Sequence, residues 1–122
     1  MKPKYIKRLQ SQSRKLTARQ IDRTMIRVES VSNPLVSHTV TFRFEPDGTI
    51  YTECTCPWAE NNGVACSHVM AALEYLAAYK ERTLSFWRTR DEAERQKHRL
   101  FRLKHRRSGD DEDAIWITSR AA

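Results

Sequence analysis

At 122 residues and 14.3 kDa, the chain has room for one domain with a modest core, a size at which a staple such as a bound metal often helps. The hydrophobic share is 39% and the charged share 30%, and no apolar run approaches the ~20 residues needed to span a bilayer, which argues against a membrane protein. A formal net charge of +7 and a pI near 9.7 favour an acidic partner, nucleic acid first among them.

The charge is unevenly placed. Residues 1–27 carry nine Lys or Arg against Asp22 alone, and 88–107 carry nine more against Asp91, Glu92 and Glu94. The stretch between them is weakly acidic, so two basic wings flank a neutral-to-acidic centre. Met1 to Gln10 is basic but lacks the apolar stretch of a secretory signal, which places the protein inside the cell, in cytoplasm, nucleoid or nucleus.

Taken in order, residues 1–16 show no clean apolar stripe and read as a disordered basic arm. Thr17 followed by Gln20 resembles a capping box and predicts a short helix over 18–23. Ile26 and Val28 alternate with Arg27 and Glu29 and read as a strand, interrupted at Asn33-Pro34. In 38–44, Val40, Phe42 and Phe44 share one strand face while Thr39, Thr41 and Arg43 share the other. Asp47-Gly48 predicts a hairpin, with 49–54 as the return strand. Residues 66–82 predict a helix with a stripe of Val69, Leu73, Leu76 and either Tyr79 or Lys80. A second helix is expected near Asp91, its acids at the positive end of the dipole. Leu100 to Leu103 and Ile115 to Thr118 are β-rich, and a turn over 108–113 would join them as a closing hairpin. Phe86, Trp87 and Trp58 read as core or as cover over a nearby site, and Trp116 as a sheet residue. His38, His98 and His105 read as surface imidazoles without a paired partner.

The cysteines number three, all between Cys54 and Cys66, which argues against a disulfide framework and for metal or catalysis. Cys54 and Cys56 form a C-x-C pair at a strand end, and Cys66 and His68 form a C-x-H pair at a helix start, with nine residues between the pairs. Alternation sends the two strand cysteines to one side. The helix N-terminus, with its unpaired N–H groups, favours Cys66 as thiolate. Four S and N donors suit a tetrahedral, structural Zn²⁺, with no position left for water or substrate. A Cys66–His68 nucleophile is a poor alternative, because residues i and i+2 on a helix do not face each other and no orienting carboxylate stands nearby.

The C-x-C-x₉-C-x-H pattern resembles the SWIM zinc finger, with Cys54, Cys56, Cys66 and His68 falling on its ligand positions. The hairpin before it and the helix after it match that family's β-β-α arrangement. The family occurs in chromatin-remodelling ATPases, transposases, signalling proteins and small bacterial proteins. The resemblance implies a zinc-stabilised module that binds DNA or another protein and does not catalyse. It covers about 38–80, and the basic wings inherit nothing from it.

The reading is an α+β protein. A three-stranded antiparallel sheet and a helix make a SWIM-like core over 17–82, with a basic helix and β-hairpin over 83–122 packed on it. The expected function is nucleic-acid binding, DNA over RNA, through Arg14, Lys15, Arg19, Lys97, Arg99, Arg102, Lys104, Arg106 and Arg107. On a strand, Arg102, Lys104 and Arg106 would line one face and track a phosphate backbone. A protein-interaction module or accessory subunit of a DNA-acting complex is the alternative. An enzyme is not expected, since no nucleophile, base and orienter converge.

Overall fold

The computed structural model describes residues 5–30, 37–56, 66–105 and 114–121. The elements run α1 (Ile6–Ser13), β1 (Leu16–Asp22), β2 (Met25–Ser30), β3 (Ser37–Phe44), β4 (Thr49–Cys54), α2 (Ser67–Tyr79), β5 (Arg82–Trp87), α3 (Arg90–Glu94), β6 (Arg99–His105) and β7 (Ile115–Ala121). The fold is mixed α+β, and among the described residues its sheet has seven strands in the order β1-β2-β3-β4-β6-β7-β5, where the sequence predicts three. All pairs are antiparallel except β4 with β6.

Register fixes which side chains face inward. Val40 lies opposite Ile26 and Cys54, Phe42 opposite Thr52, and Ile50 opposite both Phe44 and Leu103. Leu103 in turn meets Ile115, while Ile117 meets Phe101 on one side and Phe86 on the other. This alternation gives one continuous apolar face. Against it lies α2, which touches β1 to β4 and also β5 at the far edge, so the sheet curls around the helix. Val69, Met70, Ala72 and Leu73 are buried between them.

The helical stripe runs on through half-buried Leu76 and buried Ala77 and not through Lys80, which is exposed, or Tyr79, which is 77% exposed and packs on Tyr75 one turn back. Glu81 then takes φ +56°, a left-handed conformation that ends the helix short of 82. The Asp47-Gly48 turn forms as its residues predict. Gly48 sits at φ +88°, and the Thr49 N–H donates to Asp47 Oδ1 at 2.9 Å.

Two expectations are overturned. Residues 18–23 do not form a helix: 16–22 is the edge strand β1, because pairing Ala18 with Val28 and Gln20 with Ile26 extends the sheet at little cost. A local capping signal loses to a long-range ladder. The arm is not without structure either. Ile6, Gln10 and Ser13 are spaced as one helical face, and all three are buried. Gln10 Nε2 donates to the Leu84 carbonyl at 2.9 Å and to Glu74 at 3.2 Å, and the Ser13 hydroxyl donates to Glu74 at 3.2 Å. Two of the three buried residues on this face are polar, so an apolar-stripe criterion does not find it.

The helix expected near Asp91 is the five-residue α3, capped by Thr89, whose hydroxyl accepts from the Glu92 N–H at 3.3 Å. β6 and β7 pair antiparallel, while the turn over 108–113 lies outside the described residues, as do Asn33-Pro34 and Trp58. Among the described residues no helix is long and apolar enough to cross a membrane.

Candidate metal centre

β4 delivers the first half of the site. Cys54 is its last residue, opposite Val40, and Cys56 follows two positions on; both sulfurs are buried. The ladder continues past the strand end. Thr55 N–H donates to the Thr39 carbonyl at 3.2 Å, and Thr39 N–H donates back to Thr55 Oγ1 at 3.1 Å. These bonds tie the residue between the two cysteines to β3, and the Cys54 and Cys56 sulfurs both lie beside the helix start. The second half comes from α2, where Cys66 is the N-cap residue in extended conformation and His68 lies in the first turn.

The four donor atoms of Cys54, Cys56, Cys66 and His68 all lie within 4.8 Å of one another. Donors around one tetrahedral zinc are separated by about 3.5–3.8 Å, so a cluster this tight needs little adjustment to close on an ion. The electrostatics agree. Hydrogen bonds from the Cys66 thiol to the Cys54 and Cys56 sulfurs, then burial, push the Cys66 thiol up. Cys54 is pushed up to about 12, first by its hydrogen bond with Cys56 and also by burial, while its bond with Cys66 acts in the opposite direction. Three crowded, buried sulfurs cannot ionise together unless a cation joins them. This donor set is a poor nucleophile and a good zinc ligand set.

His38, read from sequence as a surface imidazole, belongs to this neighbourhood. Its ring lies against that of His68, with centroids 4.3 Å apart and planes tilted by 52°. The sequence signal was its place on the same face of β3 as Val40, two residues along, but the partner comes from another element. His105 is buried at the inner face of β6 and is not a surface residue.

The basic candidates differ in exposure. Arg14, Lys15, Arg19, Lys97 and Arg99 are exposed. Arg102 is not available in the same way: it donates to Thr49 Oγ1 through Nη2 at 2.7 Å and Nε at 3.2 Å, and stands 3.7 Å from Asp47. Lys104 is 6% exposed, with Nζ 6.0 Å from the Tyr51 ring. On this strand Arg102 is half-buried and Lys104 is buried, so these two do not present open cations. Arg106 and Arg107 lie outside the described residues.

No curated protein and no solved structure matches the chain. Residues 39–77 match the family model of the SWIM zinc finger. That segment contains the β3–β4 hairpin, both ligand pairs and nearly all of α2. The chain therefore carries a SWIM zinc finger over residues 39–77, and its Cys₃His set fits one structural zinc ion.

Proposed function

We propose that this protein is a zinc-stabilised, non-catalytic module of a reducing intracellular compartment that binds nucleic acid, DNA before RNA, through phosphate contacts. The observation that supports this most is the grouping of exposed cations. Arg14, Lys15 and Arg19 follow one another from the end of α1 into the edge strand β1, and Lys97 and Arg99 flank the entry to β6. Such groups release counterions when they meet a polyanion, which gives affinity without base readout. Arg106 and Arg107 continue the second group in sequence, while Arg102 and Lys104 serve the sheet. Zinc is structural in this reading, because four protein donors leave no open position for a substrate.

The test is a titration of duplex DNA, single-stranded DNA and RNA at two salt concentrations. Binding at low salt that weakens steeply at high salt, tightest for duplex DNA, is the expected result. Absence of binding to any of them at low salt would overturn the reading. A protein-interaction role would then take its place, favoured by the exposed Tyr79 beside Tyr75 and by Phe44, which is 54% exposed.

A further inference from the structure

We propose that His68 holds the zinc ion through Nδ1, and that His38 is the positioning residue that fixes the His68 ring for this mode. Only the metal centre is at stake, whichever partner the protein binds.

The coordination mode follows from one distance and one constraint. His68 Nδ1 lies 3.6 Å from Cys66 Sγ. Zinc–sulfur and zinc–nitrogen bonds of about 2.3 and 2.0–2.1 Å, set at a tetrahedral angle, separate the two donors by about 3.5 Å. An Nε2 donor would instead hold Nδ1 about 4 Å from the ion and roughly 5 Å from that sulfur. The constraint is reach. Cys66 caps the helix and His68 stands in its first turn, so the two side chains start close together. Sγ is one bond beyond Cβ and Nδ1 is two, whereas Nε2 is three. A pair spaced C-x-H on one helical turn closes on a common ion most easily through the nearer nitrogen.

Ligation through Nδ1 requires one orientation of the ring, and a neighbour that holds the ring there before the ion binds lowers the cost of binding. His38 supplies the support. The β3–β4 register pairs Val40 with Cys54, and the hydrogen bonds between Thr39 and Thr55 carry that register one step further. His38 stands two residues before Val40 on the same strand. Its ring packs on His68, so His38 links the hairpin that carries Cys54 to the helix half of the ligand set. Neighbours that orient a metal-ligating imidazole tune affinity without touching the ion.

Two measurements on the full-length, metal-loaded chain test the proposal. In cadmium-substituted protein, NMR coupling from the metal should reach the His68 Hε1 proton and not Hδ2, because only Hε1 lies three bonds from a metal on Nδ1. Coupling to both protons would overturn the coordination mode. For His38, zinc affinity by chelator competition should fall about tenfold in His38→Ala and return close to wild type in His38→Phe, which keeps a ring against His68. The His68 ring resonances should shift in the alanine variant and recover in the phenylalanine one. Unchanged affinity in His38→Ala overturns the positioning role, and so does failure of His38→Phe to restore it.

Discussion

Cys66 joins two jobs in one residue. It is the N-cap of α2 and a zinc ligand, and it has no side-chain capping hydrogen bond of its own. Cys66→Ser should weaken zinc binding by at least about a hundredfold and lower the thermal midpoint with it, since metal binding and folding are coupled in small modules. A serine variant that keeps both zinc and midpoint, measured by metal analysis and calorimetry, would refute the structural role. The sulfurs also set a pH dependence. Crowding and burial hold Cys54 near 12 and Cys66 above its ordinary range, so without a cation both thiols stay protonated at neutral pH. Zinc must expel those protons. Its apparent affinity should therefore fall as pH is lowered, by about tenfold per pH unit for each proton released, which a chelator competition series across pH would show.

At the scale of elements, the junction of β4 and β6 rests on a side-chain clasp. Arg102 reaches across to the buried Thr49 hydroxyl and toward Asp47, whose carboxyl is held below its usual range, first by hydrogen bonds from Thr49 and then by Arg102. Arg102→Ala should cost about 1–2 kcal/mol in denaturant unfolding, because it strips a buried hydroxyl of its guanidinium donor. Read from sequence alone, the same substitution would have spared the fold and weakened polyanion binding. The difference shows what the sequence could carry. Gly48, the alternation of Val40, Phe42 and Phe44, the alanine-rich stretch of α2 and the two ligand pairs are local signals, and each element stands where its residues place it. The identity of β1 depends on Val28 and Ile26 across a hairpin. The docking of α1 depends on Glu74, far along the chain. The burial of Lys104 depends on neighbours such as Tyr51, its partner across the β4–β6 ladder. None of these is written in a window of neighbouring residues.

Over the whole molecule, the acidic centre of the sequence becomes the hairpin-and-helix finger, and the basic wings become the elements that flank it. The exposed group Arg14, Lys15 and Arg19 then gives a charge-based prediction. Replacing all three by alanine should leave zinc content unchanged, since they stand apart from the ligands. It should flatten the dependence of log affinity on log salt by about 0.9 for each phosphate no longer neutralised, as followed by fluorescence anisotropy on duplex DNA. An unchanged slope would remove this surface from the interface.

The parallel pairing of β4 with β6 means that the finger is not a bead on a string. One of its strands is completed by residues some fifty positions downstream, and β3 leans on β2 from the other side. Excising 39–77 would bare two raw strand borders and strip α2 of most of its neighbours, leaving metal ligands mounted on a hairpin with little to hold it. Transplanting the motif into another protein would therefore require grafting its neighbours too, from β2 on one side to β6 on the other.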